Sequence, residues 1–351
     1  MAGVTGGVAP YIYVCTRMRM RKSKLIRREE YLRMLNMSLP EITRVIEETM
    51  YKQEIDELGT SFKGIDLIEV ALSWNLAKEY QKILDITPGT LKQFTRLYLR
   101  RWDIQNVLNI LRGKTEGIKA GKIKEILVPA GSLDSSLLDR LLVEDSIDRI
   151  VEALKGQRIY PVLAAQITEA KETESFSKLE NELYKQFYAD LLAESKSGVK
   201  GGQQFLSFVR LDIDIKNIKT LFRLRADKFE EDPRGMFITG GALTADDFIR
   251  MNSIKDLAEF IDNLKMKFRH KTLHALLDEL RGEKKVHDIE VRLTSVQLEQ
   301  MERMSKLYPF SIHPILVYLE KKKYEVFNLR AIARGKESRV PNERISEYLV
   351  I

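Results

Sequence analysis

The chain has 351 residues, enough for two or three domains with cores of their own. It is 44% hydrophobic and 31% charged, and its 9 prolines and 19 glycines are too few for a loop-rich β protein or a disordered chain. The formal net charge of +7 favours anionic partners such as nucleic acid, a lipid surface or an acidic protein face, and no apolar run approaches the roughly 20 residues that cross a bilayer.

The N-terminal residues differ in composition from the segment after them. Met1–Ala9 is rich in glycine, valine and alanine and has no basic residue, whereas basic residues are frequent from Arg17 to Arg28. A secretory signal has the opposite order, so we expect a flexible tail that leads into the first helix within residues 1–23. Cys15 is the only cysteine, which excludes an internal disulfide and fits a reducing compartment.

An internal repeat organises the rest of the chain. The repeated motif begins with an acidic residue, which is followed by an asparagine three positions later and an arginine nine positions later, with aliphatic residues between them. The motif recurs every 111 residues. The three copies begin at Asp103, Asp214 and Glu325. An aliphatic-Glu-x-x-Leu pattern keeps the same register to within one residue, and Leu25, Leu133 and Leu243 open the copies. This period predicts three homologous units, residues 24–131, 132–242 and 243–351.

Within each unit the apolar residues follow helical spacing. The first copy shows this with Ile104, Val107, Leu108 and Leu111, which share one helix face. Two short segments beside glycine turns, Ile126–Val128 and Met236–Thr239, are predicted to be extended linkers. The predicted fold class is therefore all-α, with three homologous helical subdomains. These either close into a pseudo-threefold, funnel-like ring or stack into a short solenoid, and both arrangements bury repeat-to-repeat surface.

Helix boundaries are predicted from capping residues. Helix starts are predicted where a hydroxyl side chain precedes a helical pattern, at Ser38 before Pro40, at Ser132 and at Thr244. Helix ends are predicted at Gly113 and Gly335, because each follows the last periodic residue.

Signatures of catalysis are weak. Gly113-Lys114-Thr115 resembles the end of a phosphate-binding loop, but Leu108 stands where the earlier glycine is required. His270 and His274 have the spacing of a zinc-protease helix, yet Lys271 replaces the glutamate, so a surface histidine pair is expected. We expect no enzyme, no metal site, no cofactor and no small-molecule substrate.

The repeated polar residues have structural and functional interpretations. Glu69, Glu180 and Glu290 recur once per unit, which indicates a cap or an interhelical ion pair. Asn106, Asn217 and Asn328 border the apolar helix face, so either they are buried amides bonded to a neighbouring helix end or they line a central opening. Arg112, Arg223 and Arg334 either neutralise a helix dipole or contact a partner.

Three stretches resemble the C subunit of the archaeal and bacterial A/V-type rotary ATP synthases, which is similar to the vacuolar ATPase d subunit. They are Tyr11–Val14 running through Arg17 to Ile42, Tyr98–Asn106, and Pro314–Leu319 with Glu325–Pro341. The resemblance covers nearly the whole chain except Met1–Ala9. It implies three helical subdomains around a pseudo-threefold axis that form a funnel on the membrane proteolipid ring and receive the end of the central shaft.

The resemblance implies a non-catalytic socket that transmits torque between the shaft subunits and the proteolipid ring. The chain would then be peripheral, monomeric within the complex, on the cytoplasmic face of the membrane, and would bind no specific nucleic acid. Its candidate partner-interface residues are Arg112, Lys114, Arg330, Arg334 and Lys336. The alternative is a helical-repeat scaffold or RNA-binding protein of another assembly. The sequence leaves open whether the coupling ion is H⁺ or Na⁺ and whether the complex makes or hydrolyses ATP.

Overall fold

A computed structural model of the chain describes residues 9–268, 270–282 and 285–351. Helices make up 74% of the structure and the described residues contain no strand, so the all-α prediction is confirmed. The predicted tail lies outside the described residues as far as Val8, and Ala9 begins the first helix. None of the described helices is long and apolar enough to cross a membrane.

Each of the three units expected from the sequence repeat contains several helices. Helix α1 (Ala9–Lys22) precedes the first expected unit. Residues 24–131 form α2 (Arg28–Met34), α3 (Leu39–Glu47), α4 (Lys52–Leu58), α5 (Gly64–Ile86), α6 (Gly89–Leu99), α7 (Arg101–Thr115) and α8 (Ala120–Ile126). Residues 132–242 form α9 (Ser135–Val143), α10 (Ile147–Ala153), α11 (Tyr160–Glu172), α12 (Ser177–Lys196), α13 (Gly202–Ala226) and a 3₁₀ helix (Pro233–Met236). Residues 243–351 form α14 (Ala245–Ser253), α15 (Leu257–Lys267), α16 (Lys271–Glu279), α17 (Val286–Leu307), α18 (His313–Glu337) and α19 (Asn342–Glu347).

Two sets of equivalent helices form the centre of the molecule. One set, α5, α12 and α17, carries the repeated glutamates, and the other, α7, α13 and α18, carries the repeated asparagines and arginines. Helix α12 packs against α7 and α13, α17 packs against α13 and α18, and α5 packs against α18. Helix α18 is buried along most of its length, including the charged residues Glu320, Lys322 and Glu325, as expected for a central core helix.

Two of the predicted helix starts are confirmed and one is wrong. Ser38 is the N-cap of α3, and its backbone N–H donates to Glu41 Oε2 at 2.8 Å. Thr244 is the N-cap of α14, and its Oγ1 accepts from the Asp247 N–H at 3.1 Å. Helix α9 begins three residues after Ser132, because Asp134 is its N-cap and accepts the Leu137 N–H at 2.8 Å.

The predicted helix ends at Gly113 and Gly335 are wrong, because both glycines lie inside their helices. Each is buried where another helix crosses closely. A Cβ at Gly113 would stand 2.6 Å from Ile123 Cδ1, and a Cβ at Gly335 would stand 2.6 Å from Ile345 Cδ1. The glycines therefore serve close helix packing, and the helices continue for two more residues.

The actual ends of α7, α13 and α18 share one geometry. The chain turns left-handed at Gly117, Lys228 and Arg339, where φ is 66°, 50° and 53°. In each case the N–H of the next residue bonds to the carbonyl oxygen five residues earlier, for example Ile118 to Gly113 at 2.8 Å. This is the Schellman ending of a helix. The two predicted linkers come after these turns. Each is wrong at its first residue, because Ile126 ends α8 and Met236 ends the 3₁₀ helix, but the chain is extended at Leu127 and Phe237.

Candidate functional site

The repeated arginines and glutamates pair with each other across repeat boundaries. Arg112 Nη2 lies 2.6 Å from Glu180 Oε2, so α7 of the first repeat is joined to α12 of the second. Arg334 Nη2 lies 2.8 Å from Glu69 Oε2, so α18 of the third repeat is joined back to α5 of the first. The complete set, which we call the rim pairs, is Arg112–Glu180, Arg223–Glu290 and Arg334–Glu69. The pairing is therefore cyclic: the first repeat contacts the second, the second the third, and the third the first.

The acidic residue that opens each motif makes a second cyclic contact. The Asp103 carboxylate accepts the backbone N–H groups of Ser132 and Leu133, each at 2.9 Å. Asp214 Oδ1 accepts from Ala242 N at 2.6 Å, and Glu325 Oε2 accepts from Ile26 N at 2.6 Å. Each carboxylate thus holds the chain where the next repeat begins.

Two glycines allow this close approach. A Cβ at Gly131 would collide with the Asp103 carboxylate, and one at Gly241 would collide with that of Asp214. Only glycine therefore leaves room for the acid at these two repeat junctions.

The repeated asparagines are buried and face away from solvent. Asn106 donates to the Val128 carbonyl at 2.7 Å and accepts from the Val128 N–H at 2.9 Å. The equivalent amides bond in the same way to a residue 21 or 22 positions further on, Asn217 to Ile238 and Asn328 to Val350. Their exposed fractions are 1%, 0% and 2%. Each asparagine therefore fixes an extended segment that has no helical hydrogen bonds of its own.

A buried cluster of charges joins the three equivalent helices at the level of residue 101. Arg101, Asp212 and Lys323 occupy equivalent positions, 111 residues apart, on α7, α13 and α18. The Arg101 guanidinium lies 2.8 Å from Glu320 Oε1 and 3.4 Å from Asp212 Oδ2, and Lys323 also pairs with Glu320. We call Arg101, Asp212, Lys323 and Glu320 the closed layer.

The closed layer is completed by neutral donors. Tyr188 donates to Asp212 Oδ2 at 2.8 Å, Gln297 donates to Asp212 Oδ1 at 2.7 Å, and Tyr98 donates to Glu320 Oε1 at 2.7 Å. Burial by itself raises the pKa of Glu320, but Lys323 and Arg101 outweigh it and hold this pKa below its ordinary value. Glu320 is therefore ionised at neutral pH, as a compensated buried charge should be.

Exposure increases along the three helices from the closed layer to the rim pairs. The side chains of Arg101 and Asp212 are 12% and 9% exposed, whereas those of Arg112, Arg223 and Arg334 are 45%, 58% and 57% exposed. Between these levels lie Gln105, Lys216 and Phe327, again at equivalent positions. We call the surface between the closed layer and the rim pairs the central recess.

Two lysines of the central recess were missed by sequence reasoning. Lys216 Nζ lies 3.2 Å from the centre of the Tyr184 ring, and Lys219 Nζ donates to Thr294 Oγ1 at 2.5 Å. Burial and the nearby charge of Arg101 lower the pKa of Lys216 to about 7, and burial lowers that of Lys219 to about 8. In the repeat register, Lys216 and Lys219 are equivalent to Gln105 and Leu108. This change of residue type between equivalent positions is the signal that could have identified them.

The five residues predicted to contact partners all have partners within the chain. Arg112 and Arg334 belong to the rim pairs. Lys114 donates to the Glu144 carbonyl at 2.9 Å, Lys336 donates to Asn342 Oδ1 at 2.6 Å, and Arg330 donates to Ser73 Oγ at 2.6 Å. Arg112 and Arg334 are the most exposed of the five, whereas burial lowers the pKa of Arg330. The structure therefore brings Arg112 and Arg334 to one rim and leaves Arg330 deeper.

Other candidates for chemistry remain apart. Lys114 and Thr115 lie in the last turn of α7, so they follow no strand and open no helix. His270 is exposed, and His274 bonds to the Phe268 carbonyl. Within the described ranges no three His, Cys, Asp or Glu side chains converge as metal ligands would. Cys15 is buried, and its thiol donates to the Ser311 carbonyl at 3.4 Å.

A surface at the opposite end of the long helices combines apolar and basic side chains. Glu290, at the rim, and Leu307, at the far end of α17, are 17 residues apart on one helix, which corresponds to roughly 25 Å. Exposed large apolar residues near that end are Ile12, Tyr13, Leu307, Tyr308 and Phe310. The Arg17 guanidinium lies 5.9 Å from the Tyr13 ring centre, and that of Arg19 lies 5.6 Å from the Phe310 ring centre. We call this the distal surface.

Comparison with known proteins gives one consistent result. The family model described as the ATP synthase (C/AC39) subunit matches residues 14–348. The chain is 35% identical to the A-type ATP synthase C subunit of Archaeoglobus fulgidus over 347 residues, which cover 99% of this chain and 98% of the relative. It is also 35% identical to the proteins of the same name from Methanococcoides burtonii and Haloferax volcanii, with 99% of this chain and 96% and 99% of those relatives covered.

Proposed function

The chain belongs to the ATP synthase (C/AC39) subunit family, and from that premise we propose that it is the non-catalytic central-stalk subunit of an A/V-type rotary ATP synthase. In this role it is a socket that joins the central shaft to the membrane proteolipid ring. It transmits torque between ion transport and ATP synthesis or hydrolysis, and it carries out no bond chemistry itself.

The cyclic set of rim pairs carries this proposal. In an open stack of three repeats the first and last repeats would not touch, whereas Arg334 of the third repeat contacts Glu69 of the first. The bond from Ile26 N to Glu325 supports the same closure. These contacts favour a closed arrangement of the units 24–131, 132–242 and 243–351 over a solenoid. A closed arrangement of three similar units is suited to surround the end of a shaft.

The two ends of the long helices are suited to different partners. The central recess, with its charged rim, is the proposed seat of the shaft, and Arg112 and Arg334 are its candidate contacts. The other three candidates are near them on the same helices: Lys114 follows Arg112 on α7, and Arg330 and Lys336 flank Arg334 on α18. The distal surface is the proposed seat on the proteolipid ring, since its basic and aromatic side chains suit acidic loops or anionic headgroups.

This proposal places the chain on the cytoplasmic face of the cell membrane as a peripheral, single copy in the complex. The distal surface would then face the membrane, and the rim would face away from it. Mixed basic and aromatic surfaces also occur in proteins that bind single-stranded nucleic acid. An RNA-binding scaffold is therefore the alternative against which the function is tested.

The test is recovery of the native complex. The chain is tagged in its host, the membranes are solubilised gently, and the co-purifying proteins are identified by mass spectrometry. Recovery of a small proteolipid, a helical shaft subunit and nucleotide-binding subunits is the expected result. A membrane-free eluate rich in RNA, whose binding weakens steeply with salt, would overturn the proposal in favour of the alternative.

The contacts are tested in the same preparation. Charge reversal at Arg112 together with Arg334 is expected to reduce recovery of the shaft subunit at physiological salt. Charge reversal at Arg17 is the matched change on the distal surface, and it is expected to reduce recovery of the proteolipid while the shaft subunit remains bound. Loss of both partners from either variant would indicate misfolding, which circular dichroism of the purified chain identifies. Full recovery of the shaft subunit with the rim variant would remove Arg112 and Arg334 from the interface.

A further inference from the structure

The lining of the central recess breaks the equivalence of the three repeats. Equivalent positions on α7, α13 and α18 carry Gln105, Lys216 and Phe327. The backbone positions are related by the repeat, but one side chain is a neutral amide, one is a cation and one is an aromatic ring. The positions three residues further on carry Leu108, Lys219 and Arg330, and Arg330 is bonded to Ser73 Oγ. The first repeat thus has no cation at these two levels and the third has one, whereas the second has a pair, Lys216 and Lys219, three residues apart on one helix face.

Carboxylates lie near the two lysines, but among the described residues none is paired with them directly. In the part of the chain that the structure describes, neither forms a salt bridge: Lys216 lies over the Tyr184 ring and Lys219 bonds to a threonine hydroxyl. The carboxylates nearest in the fold are already engaged by other groups, Glu180 by Arg112, Glu290 by Arg223, and Asp212 by Arg101, Tyr188 and Gln297.

A partly buried ammonium group without a direct ion pair is energetically costly. Both lysines remain partly exposed to solvent, yet burial lowers the pKa of each. Each lysine therefore reaches solvent from a largely desolvated position. A carboxylate brought in by a partner would relieve the cost and gain charge-assisted hydrogen bonds.

We propose that Lys216 and Lys219 bind a carboxylate of the shaft segment that enters the central recess, and that they fix this segment in one rotational setting. This inference rests on the proposed function and deepens it. A socket with three identical walls would accept a shaft in three settings, 120° apart. A cationic pair on one wall selects a single setting, which is what a coupling that must not slip requires.

The surroundings of the pair favour a protein carboxylate over a nucleic acid. Asp212, Glu180 and Glu290 lie around the two lysines and repel any anion, but they repel a chain of phosphates with many charges more strongly than one carboxylate. A side-chain carboxylate brings a single negative charge and can reach between them. We therefore expect an acidic residue at the tip of the shaft.

The test measures rotational setting directly. Glu116, Asp227 and Ser338 are exposed C-cap residues at equivalent positions of α7, α13 and α18. Each is replaced singly by cysteine in a Cys15→Ser background, where a serine hydroxyl can keep the bond to the Ser311 carbonyl. The probe is the purified shaft subunit of the host complex with a single cysteine at its tip. Crosslinking at one of the three positions is expected to exceed that at the other two by roughly tenfold, the ratio expected from one charge-assisted hydrogen bond.

Two further variants test whether the lysines select one rotational setting of the shaft or only attract it electrostatically. Lys216→Gln with Lys219→Gln is expected to equalise the three crosslinks and weaken shaft binding by roughly tenfold. Lys216→Gln with Gln105→Lys transfers a cation to the first repeat, so the preferred crosslink is expected to move to another of the three positions. The matched control, Lys155→Gln with Lys178→Gln, removes the same charge from exposed outer segments and is expected to leave the preference unchanged.

The outcomes distinguish the two proposals. Equal crosslinking at all three positions in the unmodified chain would overturn the inference that the lysines select one rotational setting. An unequal pattern that both lysine variants leave unchanged would overturn it too. If the shaft subunit binds neither the unmodified chain nor the outer-segment control, the proposed function itself fails. A lysine variant that binds free phosphate as the parent does but has lost its preference for one shaft setting supports the inference, because the effect is then specific to the protein carboxylate.

Discussion

The closed layer and the rim pairs use the same chemistry in two environments. In both, an arginine of α7, α13 or α18 meets a carboxylate from another repeat. In the closed layer the Arg101 and Glu320 side chains are 12% and 4% exposed, whereas in the rim pair Arg112–Glu180 they are 45% and 33% exposed. Desolvation therefore dominates the energetics of the first region, and screening by water and salt dominates those of the second.

This difference assigns the two regions different roles. Buried charges that lose one partner are left uncompensated, so the closed layer penalises any wrong assembly of the three helices. Exposed pairs contribute little to folding, and their side chains can exchange partners at small cost. The fold is thus specified at one end of the helices, and the other end remains available for binding. Four changes test this division, and the first is expected to cost the most stability.

Replacing Glu320 is expected to have the largest effect. Glu320→Gln removes the carboxylate that compensates Arg101 and Lys323, while the amide can still accept from Tyr98. Removing one partner of a buried charge pair lowers the free energy of unfolding by about 3–5 kcal/mol. Urea unfolding at pH 7, followed by circular dichroism, measures the loss. The matched rim variant is Glu180→Gln, and equal losses in the two variants would contradict the division.

The next effect is a pH dependence at Asp214. Burial raises the pKa of Asp214 to about 6, against the opposing bond from the Ala242 N–H. Because the folded-state pKa exceeds the unfolded value, the contribution of Asp214 to stability is complete below about pH 4 and is lost as the pH rises through about 6. Asp214→Asn stays neutral and avoids this loss. Relative to the unmodified chain, the variant should therefore gain about 2–3 kcal/mol in unfolding free energy between about pH 4 and pH 8.

The equivalent residue of the first repeat is the control for that measurement. Burial also raises the pKa of Asp103, but this carboxylate accepts two backbone N–H groups instead of one. Two donors favour the ionised form more strongly. The gain in unfolding free energy with rising pH should be smaller for Asp103→Asn than for Asp214→Asn. A swing at Asp103 as large as that at Asp214 would show that the number of N–H donors does not set the difference.

A smaller loss is expected at a repeated asparagine. Asn217→Ala leaves the Ile238 N–H and carbonyl groups buried without partners. Unsatisfied buried backbone groups lower the free energy of unfolding by about 2 kcal/mol in this context. Thermal and urea unfolding measure the loss, and Asn252→Ala, which removes one bond to the Phe229 carbonyl, is the milder comparison. An unchanged Asn217→Ala protein would mean that water replaces the amide.

Much of the fold was predictable because it depends on local patterns. Helical periodicity identified the all-α class, and the residues at Ser38 and Thr244 marked helix starts. The errors have local causes too. The helix end predicted at Gly113 is wrong because glycine also serves close packing, here against Ile123. The cap predicted at Ser132 is wrong because Asp134, two residues later, accepts the Leu137 N–H and starts the helix there.

The pairing within the site was not predictable, because it joins residues distant in the chain. Glu69 and Arg334 are 265 residues apart, and nothing local to either of them specifies the partner. The repeat showed that each belongs to a set of three, but it could not tell whether the pairing is internal to a repeat or cyclic. Lys216 was overlooked for a related reason. Its importance lies in the difference from Gln105 and Phe327, which a search for similarity between repeats discards.

The smallest effects are expected at the rim, and they decide whether the rim is free for binding. Arg112→Gln, Arg223→Gln and Arg334→Gln should each lower the free energy of unfolding by about 1 kcal/mol or less, and by less still in high salt. Arg334→Gln should cost the most, because its partner Glu69 is only 12% exposed and is left with an unpaired charge in a partly desolvated position. Urea titrations at low and high salt check both the size and the order. A loss above about 2 kcal/mol that persists in high salt would mean that the cyclic pairs hold the repeats together. In that case the shaft could not recruit these arginines without opening the ring, and the distinction between a folding end and a binding end would not hold.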